Sequence, residues 1–194
     1  IRKKYKIPAY FSHDRMMREH NPDLVIIATN DPSHYEILMN IVNYNPKFVF
    51  TEKPLAKTSA ERKKIINKYK KKQVPLSVNF SRRFSSTFNY INDLLQNNHL
   101  GKIESVNMQY SRGFFHNAIH LLDISLWYFG IPKSIQIDSI KPSMSFKGDK
   151  TIDLRMHYKS NINVKLNGLD LNYLGNEEID IIGSLGRIKV QPDD

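Results

Sequence analysis

Two hydrophobic periods divide this 194-residue chain. In the first part, apolar residues come in short unbroken runs. Leu24-Val25-Ile26-Ile27-Ala28-Thr29 and Phe48-Val49-Phe50-Thr51 are each bounded by polar turns. That is the pattern of strands buried on both faces of a parallel sheet. Between them Ser33-His34-Tyr35-Glu36 has the spacing of a capping box, and Ile37, Leu38, Ile41 and Val42 repeat with helical spacing. Thr58-Ser59-Ala60-Glu61 opens a second helix that turns Ile65, Ile66 and Tyr69 inward, and a third apolar run covers residues 74–80. Strand–helix–strand–helix–strand at these separations predicts an α/β unit with right-handed crossovers.

Beyond residue 79 the period changes to two. Val106, Met108 and Tyr110 share a face; so do Ile152, Leu154, Met156 and Tyr158, and so do Ile162, Val164 and Leu166. These alternations predict half-buried strands of a largely antiparallel sheet. A helix over residues 86–98 carries Phe88, Ile91, Leu94 and Leu95. Another, over residues 117–129, is stopped by Gly130 with Pro132 just beyond. With helices on one face, the sheet is expected to leave a partly apolar face and an edge for a second subunit. The fold class is therefore α/β. Residues 1–79 form a partial doubly wound, Rossmann-like parallel sheet, and residues 80–194 an α+β domain with an open, largely antiparallel sheet.

Composition adds exclusions. Apolar residues make up 40% and charged residues 25%, a globular mixture. No apolar run approaches the ~18–20 residues of a membrane helix, and no signal-peptide pattern opens the chain. The absence of Cys removes disulfide and thiolate chemistry and fits a cytoplasmic location. The net charge of +10 is uneven: residues 1–78 hold 16 Lys and Arg against 7 Asp and Glu, and the remainder 13 against 12. Much of the excess is Arg62-Lys63-Lys64 and Lys70-Lys71-Lys72, which reads as a solvated helix face. Neither aromatic interleaving nor zinc-finger spacing supports nucleic acid as a partner, and nothing supports a membrane.

All eight glycines fall at or after Gly101. A dinucleotide-binding sheet ordinarily opens with a Gly-rich turn that lets the backbone approach the pyrophosphate at a helix N-terminus. Either this protein binds no dinucleotide, or the expected binding unit lies upstream of Ile1.

Two clusters carry candidate chemistry. Thr51-Glu52-Lys53-Pro54 ends an apolar strand, where ligands of open α/β sheets gather. A Lys ammonium there can donate to a hydroxyl or a developing oxyanion, and Pro54 can aim it through a cis bond. The bland alternative is an ordinary strand-end turn. The second cluster is His116-Asn117-Ala118-Ile119-His120-Leu121-Leu122-Asp123. If Asn117 caps the helix, His120 lies in its first turn, where a lowered pKa suits a neutral general base, and Asp123 sits one turn on along the same face. Taken alone, each His is more simply a satisfied histidine packed near Trp127. His116 and His120 have a zinc-ligand spacing, but no further ligand motif accompanies them, so no metal is expected.

Together and in this order, the clusters resemble the glucose–fructose oxidoreductase / inositol dehydrogenase / rhizopine catabolism (Gfo/Idh/MocA) family of NAD(P)-dependent oxidoreductases. Residues 23–30 with His34 resemble the family's second strand and turn, and Glu52-Lys53-Pro54 its signature. Residues 78–83 resemble the strand and Arg that follow. Gly101-Lys102-Ile103 resembles the start of the first sheet strand, and His120-Leu121-Leu122-Asp123 with Trp127-Tyr128-Phe129-Gly130 the catalytic helix. Residues 178–186 resemble a late strand pair. The resemblance implies NAD or NADP as cofactor and a sugar, nucleotide-sugar or cyclitol as substrate. It implies His120 as the acceptor of the hydroxyl proton, with Lys53 beside it and His116 in support. Ala28, Thr29, Asn30, His34, Glu52, Lys53 and Asn79 would contact the cofactor, and Arg82, Asn117 and Asp123 the substrate. It also implies a homo-oligomer paired through the open sheet. One departure touches the proton path: many members carry Asp four residues before the catalytic His, where this chain has His116. The other is truncation at both ends. A regulatory protein of the same fold that binds sugar or nucleotide without catalysis is the alternative; retention of both Lys53 and His120 argues against it.

Overall fold

The computed structural model describes residues 2–145, 147–159, 161–170 and 177–191, with side chains from residue 4 onward. The chain divides into two compact units, residues 1–79 and 80–194.

The first unit runs α1 (Arg2–Tyr5), α2 (His13–His20), β1 (Leu24–Ile27), α3 (His34–Ile41), β2 (Phe48–Glu52), α4 (Ser59–Lys72) and β3 (Leu76–Asn79). Its three strands are parallel in the order β1-β2-β3. Register puts Val25, Ile27, Val49 and Leu76 against the helices, where they pack with Met17, Leu38, Ile41, Ile65 and Tyr69. The helices contribute to one face only. On the other face of β1, Leu24 and Ile26 are 54% and 64% exposed. Thr58, where the sequence opens the second helix, forms a capping box: its side chain accepts from the Glu61 amide, and Glu61 accepts from the Thr58 amide. The one expected at Ser33 does not. Pro32 and a short 3-10 turn precede α3, and the Ser33 hydroxyl lies 2.8 Å from both the Thr29 hydroxyl and the Asn30 carbonyl instead. Local geometry there serves the strand-end turn, not the helix end.

The second unit runs α5 (Ser86–Gln96), β4 (Ile103–Ser111), a π turn (Phe114–Ala118), α6 (Ile119–Phe129), β5 (Ser134–Pro142), β6 (Lys150–His157), β7 (Asn163–Leu169), β8 (Glu177–Gly183) and β9 (Arg187–Val190). The six strands are ordered β5-β6-β7-β4-β8-β9, antiparallel throughout except for the parallel pair β4–β7. Val106, Met108, Tyr110, Leu154, Met156, Val164, Leu166, Ile179 and Ile181 form the sheet's side of the core; Leu121, Ile124 and Tyr128 of α6 and Ile91 of α5 form the other. The opposite face corrects the expectation of a partly apolar surface. A row of paired positions crosses the whole sheet as Gln136, Arg155, Lys165, Asn107, Asp180 and Lys189. Ion pairs Arg155–Asp138 and Arg187–Asp180 lie at 2.6 and 2.7 Å. The exposed apolar residues Ile135, Ile137 and Ile140 belong to the edge strand β5, opposite Met156, Leu154 and Ile152 on the core side.

Candidate functional site

In the first unit the candidate residues gather at the carboxyl ends of the strands, because a parallel sheet directs every such end the same way. Ala28, Thr29 and Asn30 form the turn after β1. Glu52 ends β2, and Asn79, its register partner, ends β3; the Asn79 amide donates to Glu52 Oε1 at 2.7 Å. Lys53 follows, half-buried, with a cis bond to Pro54.

His34 corrects one expectation. It is 0% exposed, with Nδ1 2.7 Å from the Pro54 carbonyl and Nε2 3.0 Å from the Thr29 carbonyl. With both nitrogens committed and no accessible surface, it does not meet a ligand. It ties the turn after β1 to the turn that carries Lys53.

In the second unit His116, Asn117 and His120 are half-buried along the π turn and the start of α6. The Phe80 ring meets His120 edge-on, centroids 6.4 Å apart. Asn117 is not the helix cap. Helical winding begins a turn earlier, at Phe114, and the Asn117 amide donates 3.0 Å to the Ser111 carbonyl. His120 is therefore seventh along the winding rather than in its first turn, and the helix-terminus argument for a lowered pKa does not apply to it. The first free amides of the winding go to Asp149: Phe115 donates to Oδ1 at 3.1 Å and His116 to Oδ2 at 3.0 Å.

Asp123 and Arg82 are both engaged in ion pairs. Arg83 donates to Asp123 in bidentate fashion, Nε to Oδ2 at 2.8 Å and Nη2 to Oδ1 at 2.9 Å, and its guanidinium lies 5.4 Å from the Trp127 ring centre. That bond holds the Arg83 guanidinium above its ordinary pKa. Asp123 is thus a partner of Arg83, which draws the 3-10 turn Ser81–Phe84 onto α6. Arg82 pairs with Glu177 at the start of β8. Sequence reasoning missed Asp149, Arg83, Glu177 and Phe80. Nothing local in the sequence marks Asp149, which lies more than 30 residues from the amides it receives. Gly113, at φ +90° before the π turn, is the one signal that was legible. Among the described residues no group of three or more His, Asp or Glu is assembled to hold a metal, and no helix is long and apolar enough to cross a membrane.

Residues 1–80 match the model of an oxidoreductase family with an NAD-binding Rossmann fold, Gfo/Idh/MocA. The chain is 26% identical over 171 residues to an inositol 2-dehydrogenase/D-chiro-inositol 3-dehydrogenase of Lactiplantibacillus plantarum, covering 80% of this chain and 49% of that protein. It is 30% identical over 102 residues to a myo-inositol 2-dehydrogenase of Thermotoga maritima, covering 53% and 29%. Its fold superimposes on the WlbA dehydrogenase of Bordetella pertussis, solved with NADH and UDP-GlcNAcA, with a TM-score of 0.85 at 18% identity, over 98% of this chain and 65% of that one. The chain spans about half or less of these curated relatives. Residues 1–80, the whole first unit, thus match the Gfo/Idh/MocA oxidoreductase family model, and the chain as a whole has the fold of the WlbA dehydrogenase.

Proposed function

We propose that the protein is an NAD- or NADP-dependent dehydrogenase of a sugar, nucleotide-sugar or cyclitol, acting in the cytoplasm. The observation that carries this reading is the presence in one chain of Lys53 at the carboxyl end of β2, in the unit that matches the family model, and of His120 at the start of α6. Relatives named for inositol and UDP-sugar chemistry supply the substrate class.

The residues present fit one half of the cofactor. The turn Ala28–Asn30, the pair Glu52–Asn79 and Lys53 offer backbone and side-chain groups at the strand ends for the nicotinamide end. The pyrophosphate has no counterpart in this chain, since no glycine precedes Gly101. When bound, the nicotinamide supplies the hydride acceptor. The protein's part is the proton and the charge. His120 takes the proton of the substrate hydroxyl as its C–O bond becomes a carbonyl, and the Lys53 ammonium is a donor for a substrate oxygen. His116 supports the segment that carries His120. Arg82 and Asn117 meet substrate hydroxyls with the hydrogen-bonding groups left over from Glu177 and the Ser111 carbonyl, and Asp123 acts through Arg83. Association of two copies over the polar face of the second sheet would bury matched charges and amides, not an apolar patch.

Steady-state kinetics of the longest protein its gene encodes, over inositols and nucleotide sugars with NAD and NADP, tests the reading. Lys53→Ala and His120→Ala should each lower kcat by ~10²–10⁴-fold with little effect on cofactor binding. Undiminished turnover in both variants would refute the assignment.

A further inference from the structure

Between β4 and α6 the backbone does something costly. Arg112 and Gly113 take successive positive φ angles, +65° and +90°, and the chain then winds through the π turn Phe114–Ala118 before settling into α6. π turns are rare and concentrate at functional sites, where they shift the residues that follow by a fraction of a turn. Here the turn itself holds His116 and Asn117, and His120 follows it in α6. Something must hold this turn against relaxation to an ordinary helix start.

The holding group is a carboxylate from a distant strand. Asp149 precedes β6, and its two oxygens receive the amides of Phe115 and His116 at 3.1 and 3.0 Å; Oδ1 also receives the amide of Lys150 at 2.6 Å. The approach is so close that a Cβ on Gly113 would sit 2.3 Å from Asp149 Oδ2. Position 113 therefore excludes a side chain twice over, by its φ and by the carboxylate lying against it. Asn117 closes the loop from inside, its amide donating to the Ser111 carbonyl, and Ser111 is fully buried at the end of β4. The aspartate and the bare glycine form one contact, and that contact fixes where the winding begins.

We propose that Asp149 is a positioning residue for His120: by anchoring the amides of Phe115 and His116 it sets the rotation at which α6 presents the imidazole. This rests on the dehydrogenase reading for its catalytic consequence, but not for its structural one. A misplacement of about 1 Å in a reacting group can cost on the order of 10²-fold in rate. Asp149 touches no substrate in this proposal; it acts only through the turn.

The test has a structural and a kinetic arm. Structurally, hydrogen exchange at Phe115 and His116 and the imidazole NMR signals of His116 and His120 are compared in the 194-residue chain and its variants. Asp149→Ala, which removes both acceptors, should speed exchange at both amides by more than ~10-fold and move the His120 signal. Asp149→Asn, which keeps one acceptor, should fall between. Gly113→Ala should reproduce Asp149→Ala, and the double variant should add little, because both act on one contact. Asp138→Ala, on the far side of the sheet, should change none of these. Kinetically, in the longest protein the gene encodes, Asp149→Ala should lower kcat by ~10–100-fold with KM nearly unchanged, and Asp149→Asn should recover part of the loss. Unchanged exchange at Phe115 and His116 would overturn the anchor. Loosened amides with an unmoved His120 signal, or with undiminished kcat, would overturn the positioning role. Absence of turnover in the unsubstituted protein would count against the dehydrogenase reading, and the NMR arm would still decide whether Asp149 sets the His120 ring.

Discussion

Replacing His34 with Ala should be among the most damaging single changes in the first unit. The ring is fully buried between two backbone carbonyls on different turns, and its single N–H as a neutral imidazole serves the nearer one, that of Pro54 at 2.7 Å. Removal leaves the Pro54 carbonyl without a partner in a dry setting, which costs about 2 kcal/mol within the usual ~1–3 for a buried unsatisfied group. The void left by the ring brings the total to about 4 kcal/mol, a large share of a typical domain stability of ~5–15 kcal/mol. Graded variants separate the contributions. Asn places an amide where Nδ1 stood and restores the Pro54 bond; Gln reaches toward the Thr29 carbonyl. The order of stability should be His, Asn, Gln, Ala, because the shorter and more buried bond dominates. Urea denaturation at fixed pH, followed by far-UV circular dichroism, measures it. A cost for His34→Ala below about 1 kcal/mol, or Asn no better than Ala, would refute the view that His34 holds the two turns together.

Alkaline pH should unfold the protein steeply. Burial raises the phenol pKa of Tyr110 to about 12 and also raises those of Tyr69, Tyr128 and Tyr158, all from an ordinary value near 10. The folded state then holds protons that the unfolded state releases, so the contribution of these tyrosines to stability is fully present below about pH 10 and is lost as pH rises from there through the folded values. Tyrosinate absorbance rising in step with loss of circular dichroism is the expected result; free titration of all ten tyrosines in a folded protein would contradict it. Gly183→Ala should destabilise by about 1–3 kcal/mol, since its Cβ would lie 2.1 Å from the backbone oxygen of Leu100, whereas Gly186→Ala, with nothing within 4 Å, should be nearly neutral in the same denaturation experiment. Calorimetric titration of the 194-residue chain with NAD(H) or NADP(H) should give no micromolar binding, because the pyrophosphate cradle is missing from it; a micromolar constant would show that the strand-end turns bind the dinucleotide by themselves.

Fold and site were legible to different degrees, for a physical reason. Hydrophobic period is a local signal, and it found α3, α4 and α6 because each buries one face with a regular spacing; β1 and β2 showed as unbroken apolar runs expected to be buried on both faces, whereas β1 leaves Leu24 and Ile26 exposed. It missed α2, whose short, charged sequence leaves Met17 as its one buried residue. It missed β5, where a bulge between Ile137 and Ser139 breaks the alternation and restores the core side only at Ile140. The motif residues Lys53 and His120 were visible as types in sequence order, but their supports were not. His34 looked like a ligand contact until both of its nitrogens were found on carbonyls 20 and 5 residues away. Asp123 looked like a substrate group until Arg83 was found gripping both its oxygens, and Asn117 looked like a cap until Asp149 was found doing that work from across the unit. Each misreading has one cause. A polar side chain beside a reactive one is as well explained by a distant partner as by a ligand, and spacing along the chain carries no information about partners that folding brings from 30 or 40 residues away. Where a sequence offers several polar neighbours around one histidine, the count of hydrogen-bonding atoms left over after folding is what separates groups able to meet a substrate from groups that hold the histidine still.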